Sequence, residues 1–198
     1  LTDYSKFKAL CEDVLQKLRS PGFTTVIIRP ATVCGYSPRT RLDLSVNIMT
    51  NLAVNKREIT VFGGSQKRPN IHIEDICDLY VRLLELPAST IDGGIYNAGY
   101  QNHSIAELAR MAKSVVEREF PEKAPISIVT SHTDDLRSYH VSSGKIAREL
   151  GFTPVRSVED AMADLCRAFK AGKLPNSLTD PLYFNVRTMK GAVPQQAV

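Results

Sequence analysis

The chain has 198 residues, 43% of them apolar and 23% charged, which is typical of a soluble globular protein with one or two domains. Its net charge of +4 is small and the basic residues form no run with interleaved aromatics, which argues against a nucleic-acid polymer as partner. No apolar run approaches the roughly 18 residues that cross a bilayer, so we expect no membrane partner. Scattered cysteines without a Cys-x-x-Cys pair predict a reduced, cytoplasmic protein.

The first third of the chain alternates helices with short strands. An apolar stripe at helical spacing predicts a helix from Tyr4 to Arg19 with one buried face, formed by Phe7, Leu10, Cys11, Val14, Leu15 and Leu18. A β-branched run predicts a buried strand at Thr24–Ile28, which ends at Arg29-Pro30. A polar loop over Pro38–Leu42 follows. The chain therefore opens with an αβ unit.

The middle and end of the chain continue this alternation. The patterns predict strands at Glu58–Phe62, Asn70–Ile73, Gly94–Gly99 and Ile126–Val129, and helices at Leu44–Val54, Glu74–Leu86, Ser104–Glu119, Ser142–Leu150 and Val158–Gly172. In the helix from Glu74 we expect Ile76, Leu79, Tyr80, Leu83 and Leu84 to face inward. Ser104 and Glu107 form a capping box, and Gly151 ends a helix. The tail beyond Lys173 is predicted to be irregular and in part disordered.

Tyr4 and Lys8 stand one helical turn apart and carry the first functional signal. A phenol and an ammonium at positions i and i+4 lie on the same helix face, so the cation can stabilise the phenolate and make it a proton acceptor. The spacing by itself is weak, because such a pair is more often a solvated surface. The four histidines show no metal-ligand spacing, and we expect no metal site.

Several further motifs follow this pair in a fixed order. They are Ile28-Arg29-Pro30-Ala31-Thr32-Val33-Cys34-Gly35, Val61-Phe62-Gly63-Gly64-Ser65-Gln66-Lys67-Arg68, Ile71-His72-Ile73-Glu74-Asp75, Tyr96-Asn97-Ala98-Gly99, Arg137-Ser138-Tyr139 and Glu149-Leu150-Gly151-Phe152-Thr153-Pro154. In this order and spacing the chain resembles the extended short-chain dehydrogenase/reductases, the NAD-dependent nucleotide-sugar epimerases and dehydratases. The resemblance covers roughly residues 3 to 170.

The resemblance implies a role for residues around the first turn. Tyr4 would be the general base that takes a sugar hydroxyl proton while hydride passes to NAD, and Lys8 would support the phenolate and hold the nicotinamide ribose. Pro30 and Val33 would contact the cofactor, because ligands of open α/β sheets collect where strands end. The cofactor is expected to be NAD, with NADP left open.

The resemblance also implies a site for a nucleotide-diphosphate sugar. Thr32 would face the sugar and Asn47 would hydrogen-bond the sugar or its phosphate. Arg68 and Arg137 would grip the diphosphate, since a planar guanidinium pairs with phosphate oxygens and stays charged. After Arg68 the family usually has Asp and an aromatic residue, whereas this chain has Pro69-Asn70.

These observations predict an α/β fold: a partial Rossmann-type, doubly wound parallel sheet with a smaller α+β C-terminal substrate-binding region. We expect residues 1–36 to belong to the dinucleotide-binding domain, 37–173 mainly to the substrate region with segments that return to the sheet, and 174–198 to an irregular tail. The sequence contains no Gly-x-Gly-x-x-Gly turn, so it looks like the C-terminal 60% or so of a protomer.

The predicted function is that of an NAD-dependent nucleotide-sugar epimerase or dehydratase that oxidises a sugar hydroxyl transiently. Two alternatives stay open: a net reductase or dehydrogenase of the same family, and a non-catalytic nucleotide-sugar-binding module. A chain without the glycine turn is expected to be inactive alone. The resemblance also implies a homodimer formed through the helix that carries Tyr4.

Overall fold

The computed structural model describes residues 3–134 and 137–192. Eight helices lie within these ranges: α1 (Asp3–Lys17), α2 (Ser45–Lys56), α3 (Ile73–Glu85), α4 (Ala88–Ile91), α5 (Ile105–Glu119), α6 (Gly144–Leu150), α7 (Val158–Lys170) and α8 (Asn185–Ala192). Seven strands lie within them: β1 (Val26–Pro30), β2 (Thr32–Cys34), β3 (Glu58–Phe62), β4 (Lys67–His72), β5 (Gly94–Ala98), β6 (Gln101–Ser104) and β7 (Ser127–Ser131).

The described strands form three small sheets. β1 pairs with β5 in parallel, from Val26 opposite Gly94 to Pro30 opposite Ala98. β3 and β7 form a second parallel pair. The third sheet has the order β2-β4-β6, with β2 parallel and β6 antiparallel to β4. Parallel pairs joined through helices confirm the predicted α/β class.

Between Ala31 and Thr32 the chain passes from the β1-β5 sheet to the β2-β4-β6 sheet. The N–H of Ala31 donates to Ala98 O over 2.7 Å and so extends the ladder between β1 and β5. The next residue, Thr32, already pairs with Asn70 in the third sheet. Residues 30 to 33 therefore lie where two sheets meet, which is the kind of position where α/β proteins bind ligands.

Two large apolar cores stabilise these layers. The first joins α2, α5, α7 and β3, and the second lies among β1, β4, β5, α3 and α6. The side chains buried completely include Val46, Ile59, Leu108 and Met162 in the first core and Leu79, Ala98 and Ile146 in the second. Each fully buried aliphatic side chain contributes about 1.5–3 kcal/mol of transfer free energy, so these cores carry most of the stability.

The prediction of a buried face on α1 is wrong. None of the residues of α1 is buried, and Phe7, Leu10, Val14 and Leu18 are about half exposed or more. The stripe has helical spacing as predicted, but periodicity shows only which residues share a face and not what covers it. Within residues 3–134 and 137–192, no element buries this stripe.

Two further local predictions need correction. Tyr80 and Leu84 of α3 were expected to face inward, yet Leu84 is 88% exposed and Tyr80 is 48% exposed. The tail was expected to be irregular, yet it contains a short 3₁₀ helix at Pro181–Tyr183 and then α8. Residues 193–198 of that tail lie outside the described residues. The tail packs back because the N–H of Leu42 donates to Tyr183 O over 2.9 Å.

Candidate active site

Tyr4 lies where two cavities meet. A cavity of about 780 Å³ lies between α1, β1 and α3, and its lining includes Tyr4, Lys8, Arg29 and Pro30. A second cavity, of about 480 Å³, is lined by Tyr4 together with residues Pro30 to Gly35 and Asn47. Tyr4 is 74% exposed, so its phenol is open to a ligand. The structure therefore brings the predicted Tyr4, Lys8, Pro30, Thr32, Val33 and Asn47 around two joined cavities, with Lys8 on the first alone.

An ion pair fixes the helix that carries Tyr4. Arg29, in β1, donates from Nε to Oε1 of Glu12 over 2.9 Å and from Nη2 to the other carboxylate oxygen. The Arg29 guanidinium beside Glu12 holds the pKa of that carboxyl below its usual range, because it hydrogen-bonds the charged form. This two-point contact sets α1 against the end of β1, and Tyr4 lies about two helical turns before Glu12.

Asn47 organises one wall of the second cavity. Its side chain is 2% exposed; Oδ1 accepts from Gly35 N over 3.0 Å, and Nδ2 donates to Gly35 O and to Arg41 O. Gly35 has a φ of +106°, where a side chain would be strained. One buried amide thus holds both ends of the loop from Gly35 to Arg41, and its predicted contact with substrate stays a prediction.

Cys34 lines the second cavity, but the chemistry of its environment makes it inert. The thiol donates to Ile71 O over 3.4 Å, and the residue is 1% exposed. Burial, together with the charge of Asp75, raises the pKa of Cys34 to about 12. A thiol that stays protonated at neutral pH is a poor nucleophile, so Cys34 acts as packing.

The two predicted phosphate-binding arginines lie next to each other. Nη1 of Arg68 donates to Arg137 O over 2.6 Å and to Lys67 O over 3.0 Å, and its guanidinium carbon lies 5.3 Å from the centre of the Tyr139 ring. Arg68 also lines a third cavity, of about 400 Å³, between α2, β3 and β4. Its Nε and Nη2 donate to none of the described residues, so one edge of the guanidinium fork is open to an anion.

The departure from the family pattern after Arg68 also has a structural account. Asn70 is fully buried and its Nδ2 donates to Arg68 O over 2.8 Å, which holds the backbone of the arginine. Within the part of the chain that the structure describes, Asn70 Oδ1 has no hydrogen-bond partner. Asn70 thus positions the backbone of Arg68.

Sequence reasoning missed the loop that closes the second cavity. Arg39 and Arg41 both line it, with Ser37 between them and the strand. The sequence pattern predicts only a polar loop here, although a Pro-Arg pair four residues after the end of β2 is a signal for a cation near the ligand-binding edge of the sheet. No cluster of metal-binding side chains occurs among residues 3–134 and 137–192, and none of the helices there is long and apolar enough to span a bilayer.

Comparisons with known proteins identify the family of this chain. The family model of the NAD dependent epimerase/dehydratase family matches residues 1–99, which is half of the chain, and the protein belongs to that family. UDP-glucose 4-epimerase of Bacillus subtilis is 25% identical over 183 residues, covering 83% of this chain and 53% of its own length.

Two solved structures show the same fold at low sequence identity. One is dTDP-glucose 4,6-dehydratase from Bacillus anthracis in complex with NAD, with a TM-score of 0.72, 16% identity and coverage of 91% of this chain and 56% of that one. The other is UDP-glucose 4-epimerase from Thermotoga maritima with UDP-glucose, with a TM-score of 0.65, 21% identity and coverage of 84% and 52%. The chain thus spans about half the length of these relatives. The predicted cofactor, NAD, is that of the family.

Proposed function

We propose that this chain carries the catalytic and substrate-binding part of a nucleotide-sugar epimerase or dehydratase that oxidises a sugar hydroxyl transiently. The observation that carries the proposal is the position of Tyr4, which lines both the cavity containing Lys8 and the cavity containing Thr32. A phenolate there can take a proton from a hydroxyl in the second cavity. A hydride acceptor in the first cavity can then take the hydride from the sugar carbon that carries this hydroxyl.

The first cavity suits the nicotinamide end of NAD. Lys8 offers three donors for ribose hydroxyls, and Ile28 and Pro30 form an apolar wall for a planar ring. Val33, in the adjoining cavity, would contact the cofactor from the sugar side. When bound there, NAD would supply reversible hydride acceptance, while Tyr4 would move the proton at its phenolic oxygen. Lys8 lines the same cavity one helical turn away.

The substrate would extend from the second cavity toward Arg68. Thr32 offers a hydroxyl to the sugar, and Asn47 lies in the same lining. Arg68, and Arg137 beside it, would take the diphosphate, which leaves the third cavity for the nucleoside. Oxidation of the hydroxyl would give a ketone that permits inversion or elimination, and with the hydride returned to the sugar the reaction would have no net redox change.

The exposed face of α1 supports a homodimer through this helix. Phe7, Leu10, Val14 and Leu18 lie on one stripe, and an apolar stripe of that size is a typical interaction surface. Phe7→Glu is expected to reduce the mass in solution to that of a monomer by light scattering, whereas Val155→Glu, at an exposed apolar residue elsewhere, should not. Four free cysteines accord with a cytoplasmic location, which we also propose.

The test uses the natural polypeptide that contains this sequence and a panel of UDP-, dTDP-, GDP- and CDP-hexoses with NAD. Products are identified by NMR: an inverted centre indicates an epimerase and loss of water a dehydratase. Tyr4→Phe should slow turnover about 10²- to 10⁴-fold while leaving the Kd of the nucleotide sugar within about twofold. Tyr80→Phe, in the same first cavity, is the matched control and should retain activity.

The outcomes separate the alternatives. Net reduction of NAD would identify a dehydrogenase, and net consumption of NADH or NADPH, supplied in its place, would identify a reductase. Binding of a nucleotide sugar without turnover would identify a binding module. Turnover that survives Tyr4→Phe unchanged would remove the proposed proton acceptor and with it the mechanism.

A further inference from the structure

The second cavity is lined by two arginines, Arg39 and Arg41, that the roles assigned above do not use. Arg39 lines this cavity with Tyr4 and Thr32. Its side chain donates from Nη2 to Asn185 Oδ1 over 3.3 Å, and none of the carboxylates in the described ranges forms an ion pair with it. An amide oxygen at that distance does not neutralise a guanidinium.

The neighbouring arginine shows the contrast. Arg41 lines the same cavity, but its Nε and Nη2 donate to the two carboxylate oxygens of Asp43 over 3.0 and 3.2 Å. Asp43 also accepts from the backbone N–H of Asn185. The charge of Arg41 is thus neutralised by Asp43, and Arg39 carries the uncompensated positive charge on this side of the second cavity.

Hydrogen bonds within the loop fix the backbone on either side of Arg39. The N–H of Ser37 donates to Thr40 Oγ1 over 3.0 Å and the Thr40 hydroxyl donates back to Ser37 O, so Pro38 and Arg39 form the tip of a closed turn. Thr40 is buried, and Asn47 ties Gly35 and Arg41 at the two ends. These bonds fix the backbone of Arg39 at the edge of the cavity, so the entropy that binding costs is mainly that of its side chain.

We propose that Arg39 binds a carboxylate on the sugar ring, so that the substrate is a nucleotide-diphosphate hexuronic acid rather than a neutral hexose. This inference rests on the proposed function. A guanidinium fork matches a carboxylate in a two-point contact, whereas the hydroxyls of a neutral hexose leave its charge uncompensated. The diphosphate already has Arg68, which lines a different cavity.

The experiment compares pairs of ligands that differ only at the sugar carboxylate: UDP-glucose with UDP-glucuronic acid, and GDP-mannose with GDP-mannuronic acid. Kd values are measured by calorimetry on the natural polypeptide with NAD present, and UDP and GDP alone serve as references. At least one acid should bind about 10-fold tighter than its neutral partner; we expect the low end of the range for charge-assisted bonds, because Arg39 is exposed to solvent. Arg39→Met should abolish that preference and leave binding of the neutral sugar unchanged within about twofold.

Three controls make the result decisive. Arg39→Lys should keep part of the preference, and Arg110→Met, at an exposed arginine outside the cavities, should keep all of it. Equal binding of acid and neutral sugar, or equal weakening of acid, neutral sugar and free nucleotide in Arg39→Met, would overturn the inference and leave the proposed function intact. Failure of every nucleotide sugar to bind would overturn both.

Discussion

Replacement of Asn47 by Asp tests whether this residue anchors the loop or contacts substrate. Asp has the same shape, so packing is unchanged, and one oxygen can still accept from Gly35 N. The Nδ2 amide group becomes the second carboxylate oxygen and loses both N–H donors. This charged oxygen then faces Gly35 O and Arg41 O, which lie 3.3 and 2.8 Å from Nδ2 in the native protein. Two hydrogen bonds disappear and two carbonyls lose their donors.

The structure sets the size of this effect. Each net hydrogen bond is worth about 1 kcal/mol, and a buried group left without a partner costs about 1–3 kcal/mol, which water from the adjoining cavity lowers. We therefore expect Asn47→Asp to reduce the free energy of unfolding by about 3 kcal/mol, a large share of a typical stability of about 5–15 kcal/mol. Urea denaturation followed by circular dichroism measures it.

The matched control is Asn176→Asp, because Asn176 is exposed. Its stability should change by less than about 0.5 kcal/mol. A loss below about 1 kcal/mol for Asn47→Asp, together with a raised KM for the nucleotide sugar, would refute the anchoring role and favour direct contact with substrate.

Three further predictions concern charged or titratable groups and their partners. Nη1 of Arg156 lies 2.7 Å from Oδ1 of Asp75, a carboxylate that is 2% exposed. Arg156→Met leaves this carboxylate buried without its cation and should lower the free energy of unfolding by about 2–3 kcal/mol, measured by urea denaturation. Asp75→Asn in the same chain should recover part of the loss, and no recovery would contradict a charge effect. Burial lowers the pKa of His72 below its ordinary 6.5, so the unfolded chain takes up the proton first and stability should fall as the pH drops through about 6.5. His72→Asn should flatten the pH dependence of the free energy of unfolding between about pH 7.5 and 5.5. An unchanged pH dependence would mean that another group titrates there. Glu12→Gln should weaken the contact with Arg29 by about 0.5–1 kcal/mol and speed amide exchange in α1, whereas equal exchange rates would show that the pair does not hold the helix.

Features set by neighbouring residues were predictable from the sequence. Ser104 and Glu107 form the capping box as predicted, and Gly151 ends α6 in the left-handed conformation, with a φ of +60°. The bounds of β3 at Glu58–Phe62 agree with the prediction, and so does the start of α7 at Val158. Caps and turns depend on backbone groups within about four residues, which a linear pattern contains.

Features set by distant residues were not predictable. The spacing in α1 and α3 identified apolar faces, but the exposure of Phe7 and Leu84 depends on which element packs against each face. β2 and β6 have three and four residues, and β6 is entirely polar; they are strands only because β4 lies between them. Both pairings join residues that are more than 30 positions apart in the sequence, such as Thr32 with Asn70 and Asn70 with Gln101.

For the site, the sequence by itself determined which groups are present: a phenol and an ammonium one helical turn apart, a strand that ends at Arg29-Pro30, and arginines suited to anions. Only the tertiary structure decided that Tyr4 lines two cavities and that the side chain of Asn47 binds the backbone of the loop from Gly35 to Arg41. It also decided that Arg41 is neutralised by Asp43 while Arg39 is not. The physical reason is that the chemical identity of a side chain is local, whereas its burial, its partners and its net charge in place depend on segments that folding brings together from far along the chain.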